Sequence, residues 1–238
     1  MQALILAGGK GARLRPCTTV LPKPLMPVGD YPILEIIFRQ LKHAGVTHVI
    51  LAVGYLSQLF QAFFQDGSRY GLHISYSFEE APLGTAGPIA LAMDDLADDF
   101  LVMNGDLLTT LNYRNLFTFH RTRQAAATIG LYRREVKIDF GVIECDASDR
   151  LVAYTEKPVW EFAVSMGINA INKRAVKPYL KPGEHLDLPE LMLRLSKDGH
   201  AVLCYQESCS WLDIGRLDDY QAATEALLAR KSEFLPSA

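Results

Sequence analysis

The chain has 238 residues, with 24 Lys and Arg against 27 Asp and Glu, a formal net charge of -3, 49% hydrophobic and 21% charged residues. This length suits one large α/β domain or two small ones, and the composition is that of an ordinary soluble globular protein. The slight negative charge excludes a nucleic-acid binder that works by general attraction to phosphate, although an enzyme for anionic nucleotides can still be acidic overall.

The apolar start, Met1 to Ala7, lacks a basic leader and reaches glycine too soon for a signal peptide or a membrane span. No later stretch is apolar for long enough, so a cytoplasmic protein with no membrane partner is expected. Cys17, Cys145, Cys204 and Cys209 show no CxxC pairing and are expected to be free thiols.

In chain order, Ala3 to Leu6 reads as a buried strand that stops at Gly8-Gly9. Ile33, Leu34, Ile36, Ile37 and Leu41 have helical spacing, and Gly45 punctuates before a strand over 48–53. A helix is expected from Leu56 to Phe64, a strand from Leu72 to Phe78, a helix from Thr85 to Met93 and a strand from Phe100 to Met103. Such alternation points to β-α-β units and a largely parallel sheet covered on both faces. Past Thr128 shorter strands follow, around Ile129, Phe140 to Glu144 and Leu151 to Glu156, expected to be antiparallel. Helices over Leu188 to Lys197 and Leu217 to Lys231 close the pattern. One domain spanning 1–238, with a small sheet extension, is the simplest account.

The turn after the first strand runs Leu6-Ala7-Gly8-Gly9-Lys10-Gly11-Ala12-Arg13-Leu14-Arg15-Pro16. Glycines let backbone N–H groups approach phosphate oxygens that a Cβ would hold off. It is neither a Walker loop nor GxGxxG, but Lys10, Arg13 and Arg15 crowd it. Lys23 stands between Pro22 and Pro24, which predicts rigid extended backbone and a fixed ammonium. Val102-Met103-Asn104-Gly105-Asp106 is an apolar strand ending in an acid, at the carboxyl end where open α/β sheets place ligands. Asp213, in Trp211-Leu212-Asp213-Ile214-Gly215, has large apolar neighbours, company an acid keeps when paired or metal-bound.

The run GGKGARLRPCTTVLPKPLMPV resembles the signature of the sugar-phosphate nucleotidyltransferases, the nucleotide-sugar pyrophosphorylases, closest to the mannose or heptose 1-phosphate guanylyltransferase type. Ala12 and Cys17 depart from the usual form. The resemblance extends from Leu4 to about Tyr220 and implies a Rossmann-like three-layer sandwich with a mixed, mainly parallel central sheet and a small antiparallel extension. It implies Arg13 and Lys23 as catalytic cations, and Asp106 and Asp213 as the holders of Mg²⁺. Leu6, Ala7, Gly8, Gly9 and Gly11 would meet the nucleotide. So would Glu79, Gly84 and Thr85, in a segment resembling the family's base-recognition loop.

A carboxylate at position 79 accepts two hydrogen bonds, and guanine offers two adjacent donors, whereas uracil and thymine offer one. That favours GTP. Asp139-Phe140-Gly141-Val142 and Thr155-Glu156-Lys157-Pro158 resemble the motifs for the sugar phosphate, which assigns Gly141, Glu156 and Lys157 to it. Ser165 and Asn169 fall in the wall that contacts the sugar, at positions where the family usually has Asn and Tyr.

The expected reaction moves a nucleoside monophosphate from an NTP to a sugar 1-phosphate, mannose- or manno-heptose-type favoured, and releases pyrophosphate. The expected partners are those two small molecules and no nucleic acid, with a homo-oligomer left open. The same reaction with UTP or dTTP and a hexose or aminosugar 1-phosphate is the alternative. A non-catalytic sugar-nucleotide-binding regulator would have lost Arg13, Lys23 or one of the acids, and an oxidoreductase would want GxGxxG.

Overall fold

The computed structural model describes residues 1–236, so the last two residues of the expected 1–238 domain lie outside the described part. Strand β1 (Gln2–Leu6) runs into the glycine turn and is followed, after three short 3-10 turns, by the small ribbon β2 (Pro27–Val28) with β3 (Tyr31–Pro32). Helix α1 (Ile33–Ala44) has the expected apolar stripe and ends at Gly45, whose φ of 92° only glycine adopts without strain. Then come β4 (His48–Val53), α2 (Ser57–Phe64), β5 (His73–Phe78), α3 (Gly87–Leu91), β6 (Asp99–Asn104), β7 (Leu107–Thr109) and α4 (Tyr113–Thr122). The second half holds β8 (Ala127–Lys137), β9 (Val142–Cys145), β10 (Leu151–Thr155), β11 (Val159–Asn172), α5 (Lys173–Val176), α6 (Leu188–Lys197), β12 (Val202–Gln206), β13 (Trp211–Asp213), α7 (Leu217–Ala229) and α8 (Lys231–Phe234).

Seven strands form the central sheet in the order β12-β8-β11-β6-β1-β4-β5. The run β6-β1-β4-β5 is parallel, while β11 is antiparallel to β6 and β8. This is the expected mixed, mainly parallel Rossmann-like sheet. Its strands alternate between two cores, as the two-residue period of a strand requires. Ala3, Ile5, Val49, Leu51 and Met103 face the layer of α1, α2, α4 and α7, built on Phe38, Phe60 and Phe64. Leu4, Ile50 and Val102 face the layer of α3, α5 and α6, built on Ile89, Val176 and Leu191. Each fully buried side chain of this size contributes about 1.5–3 kcal/mol.

Two sets of contacts brace the rim of the sheet near Asp106. Gln40, buried in α1, donates through Nε2 to the carbonyls of Thr109 and Phe234 at 2.8 Å each, which ties β7 and the C-terminal helices to α1. Strand β13 pairs antiparallel with β7, Asp213 opposite Leu107, and Ile214 N–H donates to the Asp106 carbonyl at 3.1 Å. The outer halves of β8 and β11 leave the sheet as a ribbon, and the β9–β10 hairpin continues it.

Candidate active site

The carboxyl ends of β1, β4, β5 and β6 meet along one edge of the sheet. Ala7 N–H donates to Ala52 O at 2.8 Å, Glu79 N–H to Val53 O at 2.9 Å, and Gly105 N–H to Leu6 O at 3.0 Å, so each turn is stitched to its neighbour. At Gly11 the backbone is left-handed, φ 58°, and Thr18 Oγ1 donates to its carbonyl at 2.8 Å. A Cβ on Gly11 would sit 3.0 Å from the Thr18 methyl and 3.3 Å from Lys23 Cβ, so only glycine lets the turn close against Lys23. A Cβ on Gly9 would meet nothing within 4 Å, so the turn is open on that side.

Lys23 departs from its expected conformation. It opens a 3-10 turn over Lys23–Leu25 instead of lying extended, with Leu25 N–H on Pro22 O at 2.9 Å and Met26 N–H on Lys23 O at 3.0 Å. These bonds and the burial of the side chain outweigh the bias of a residue before proline. Lys23 is only 7% exposed and its ammonium is ion-paired with Asp106 Oδ2. The other oxygen, Oδ1, is buried without a partner.

Arg13 reaches across from the glycine turn: a Cβ on Gly215 would lie 3.4 Å from its guanidinium. The sequence places Asp213 among apolar side chains. It is instead exposed at the end of β13, because the short strand runs along the rim of the site, while Ile214 and Gly215 after it are buried. Crowding by the surrounding protein, then the charge of Asp106, raises its pKa, while Lys23 and Arg13 pull it back down. Arg13, Lys23, Asp106 and Asp213 thus form one electrostatic cluster, drawn from four separate segments of the chain.

Among the described residues no group of three or more His, Cys, Asp or Glu stands together as a metal site. Two acids, one with an orphaned buried oxygen, still fit a hard divalent cation, which takes its remaining oxygens from phosphates and water.

Glu79 lies over the glycine turn. A Cβ on Gly8 would be 2.6 Å from its Oε1, and its Oε2 accepts from Leu83 N–H at 3.3 Å. Burial raises its pKa, and the Leu83 bond partly offsets that. Such a carboxylate is no solvated turn residue. The next two expected contacts have other duties. Gly84, φ 75°, would put a Cβ 2.5 Å from Leu186 O, so tight packing accounts for the glycine. Thr85 Oγ1 donates to Asp187 Oδ1 at 3.2 Å and accepts from Leu188 N–H at 2.7 Å, which spends the hydroxyl on the start of α6.

The sugar-phosphate candidates divide. Gly141 lies under Tyr154, whose hydroxyl would be 2.5 Å from a Cβ there. Glu156 and Lys157 are exposed on the turn into β11, Lys157 with φ 44°. None of the three bonds to the four-charge cluster. Ser165 and Asn169 flank a bulge in β11 where Gly167, φ 70°, makes room for the Asn104 amide, 2.6 Å from where a Cβ would be. Ser165 Oγ accepts from Gly167 N–H at 3.3 Å, and Asn169 is buried between β6 and β8. Sequence reasoning misses Asn104, although it directly precedes Gly105-Asp106 in a motif already recognised there.

Residues 2–230 match the model of the nucleotidyl transferase family. The chain belongs to that family. It is 37% identical over 226 residues to a mannose-1-phosphate guanylyltransferase of Mycobacterium tuberculosis, covering 92% of this chain and 62% of the relative. It is 32% identical over 249 residues to a UTP--glucose-1-phosphate uridylyltransferase of Synechocystis sp., covering 97% of this chain and 64% of the relative. The chain therefore spans somewhat less than two thirds of these relatives. A solved Bacillus anthracis structure, provisionally assigned as a glucose-1-phosphate thymidylyltransferase and complexed with sucrose, superposes with a TM-score of 0.77 at 25% identity, covering 98% of both chains.

Proposed function

We propose that this chain transfers a nucleoside monophosphate from an NTP, with GTP favoured, to a sugar 1-phosphate of mannose or manno-heptose type. The observation that carries the reading is the meeting of Arg13, Lys23, Asp106 and Asp213 beside the glycine turn at the carboxyl ends of the parallel strands. A sugar phosphate is largely dianionic at neutral pH, its second pKa being about 6, so its oxygen attacks the α-phosphorus without a dedicated base. The protein's work is to hold nucleophile and leaving pyrophosphate in line and to answer the charge that develops. Gly8 to Gly11 offer the triphosphate backbone N–H groups, Leu6 and Ala7 hold the strand end that presents them, and Arg13 and Lys23 offer the triphosphate positive charge. Lys157 would take the phosphate of the sugar and Glu156 its hydroxyls, with Gly141, Ser165 and Asn169 as the wall. Asp106 and Asp213 would hold Mg²⁺, which would supply positive charge against the triphosphate. No helix among the described residues is long and apolar enough to cross a membrane, and a cytoplasmic site of action is part of the proposal.

Relatives named for guanylyl and for uridylyl transfer both match, so the base must be argued from Glu79. Its carboxylate, lying over Gly8, matches the two adjacent donors of guanine. The alternating edge of uracil or thymine would set a lone pair against it. The test is pyrophosphate release with GTP, UTP and dTTP against a panel of sugar 1-phosphates. Release with GTP and mannose or manno-heptose 1-phosphate is expected. No release with any pair would overturn the activity, and a preference for UTP or dTTP would overturn the guanine assignment.

A further inference from the structure

The edge of the sheet away from the candidate active site holds a cavity of about 460 Å³, between the end of α4, the start of β8 and the segment leading into β12. That volume lies within the ~300–1,000 Å³ of small-molecule sites. Asp99 lines it, at the opposite end of β6 from Asn104, about 17 Å away at ~3.3 Å per residue. The cavity therefore has no part in the four-charge cluster.

His120 lines the cavity from α4 and is only 1% exposed. Its Nδ1 meets Thr128 Oγ1 at 2.9 Å. The Thr128 hydroxyl is fully buried and has no other acceptor among the described residues, so it donates to Nδ1. Burial lowers the pKa of the ring, with Asp99 pulling the other way, so the neutral ring carries its one proton on Nε2. That N–H is buried and unpartnered. Asp99 Oδ1 stands 3.5 Å from it, longer than a hydrogen bond, and already accepts from Asn172 Nδ2 at 2.8 Å. Asp99 Oδ2 is 3.6 Å from Arg121 Nε. A carboxylate, an imidazole and a guanidinium thus face one another without closing their bonds, and a buried donor left unpaired is costly.

Gln124 adds an amide to the same cavity. Its backbone is left-handed, φ 49°, where Ala125 N–H donates to His120 O at 3.2 Å and Gln124 N–H to Arg121 O at 3.1 Å. Glycine is the usual residue at that position of a helix end. A glycine would relieve the backbone and remove the amide.

We infer that this cavity binds a small neutral polyol, of monosaccharide size, through Asp99, His120, Arg121 and Gln124. Each hydroxyl both donates and accepts, so an adjacent pair can give hydrogens to the carboxylate and take them from Nε2–H, the guanidinium and the amide. Other chemistries fit less well. An inorganic anion would find Arg121 already facing an acid. Among the described residues no group of three His, Cys, Asp or Glu stands ready for a metal ion. The remaining wall is largely alanine, as at Ala126 and Ala175, with no large apolar side chain for a lipid or a base to pack on.

The experiment is calorimetric titration of the full chain with D-mannose, D-glucose, myo-inositol and inorganic phosphate, with the ¹⁵N signals of the histidine rings followed by NMR. At least one polyol should bind with a dissociation constant below about 10 mM and shift the His120 Nε2 signal. Gln124→Gly, which should fold and melt no lower than the parent, and Arg121→Met, at an exposed side chain, should each raise that constant tenfold or more. The two variants are independent, so one that fails to fold leaves the other to decide. The proposal is overturned if none of the polyols binds below about 10 mM or if phosphate binds in their place. It is overturned equally by polyol binding that leaves the His120 ring signal, or the affinity of the folded variants, unchanged.

Discussion

Lys23 and Asp106 come together from opposite ends of the glycine turn and the β6 strand, and burial makes each depend on the other. Removing one member of a buried pair leaves the other charge uncompensated, at about 3–5 kcal/mol. Lys23→Ala should therefore lower the denaturation midpoint markedly, while the double variant Lys23→Met with Asp106→Leu should lose less than the two single losses added. Strict additivity in denaturant titrations would show that the two groups are not coupled. For catalysis, Asp106→Asn should cut turnover by about two orders of magnitude or more, on the scale of a lost transition-state charge contact. Full activity in that variant, with pyrophosphate release as the readout, would remove Asp106 from the site.

Glu79 offers a test with a pH axis. Its raised pKa means that burial penalises the charged form, so its contribution to stability is present at low pH and lost as pH rises through the folded value. Glu79→Gln should then melt higher than the parent chain at neutral pH. Base recognition has the opposite sign, because only the carboxylate accepts two bonds. GTP efficiency should fall as pH drops through the Glu79 pKa, and that limb should be absent in Glu79→Gln. The same variant should lose GTP efficiency by about tenfold and gain relative use of UTP or dTTP. An unchanged ratio of kcat/KM among the three nucleotides would place the residue outside the base pocket.

At the scale of the elements, the motif around Gly84 assigns Thr85 to the nucleotide, yet its hydroxyl serves the first turn of α6. Thr85→Ala should cost about 1 kcal/mol, as lost caps do, and leave the Michaelis constant for nucleotide within twofold. A large rise in that constant with no loss of stability would return Thr85 to the nucleotide. The strands and helices with a clean period are legible in the sequence: β1, β4, β6 and α1 lie within a residue or two of their expected spans. The longest strand, β11, is not. Its outer half alternates for a ribbon, its inner half is apolar for a buried sheet, and Gly167 puts a bulge between them. Helix α4 escapes because its buried stripe of Tyr113, Leu116, Phe117 and His120 mixes aromatic and titratable groups. The motifs expose Arg13, Lys23, Asp106 and Asp213 as candidates. That Lys23 is buried against Asp106 is not legible, because the pair joins residues 83 positions apart.

For the molecule as a whole, the net charge of -3 coexists with a site in which, under the proposed function, Arg13 and Lys23 would receive a triphosphate. Folding leaves those cations beside two acids, so nucleotide and divalent ion should bind better together than either alone. Mg²⁺ with GTP should raise the melting temperature more than the sum of the separate rises, since a ligand stabilises by RT ln(1 + [L]/Kd) and each ligand lowers the Kd of the other. In Asp106→Asn that surplus should vanish while the effect of GTP alone persists. Additive shifts in the parent chain, measured by calorimetry, would argue against a shared site.

The contact of Gly8 with Glu79 has a consequence for the routes by which such a protein can diversify. A methyl group at position 8 would lie 2.6 Å from Glu79 Oε1, while the nearest backbone atom, Gly54 N, stays at 3.6 Å, so it is admitted once the end of the Glu79 side chain swings off the turn. A lineage, or a directed-evolution library, that seeks a new base through position 79 can therefore also act through position 8, by changing where the carboxylate sits. The two positions are coupled for as long as residue 79 is long enough to reach the turn. Gly8→Ala should cost little stability but change the ratio of kcat/KM among the nucleotides in the parent background, and change it far less after Glu79→Ser, so the effect of one substitution depends on whether the other has come first.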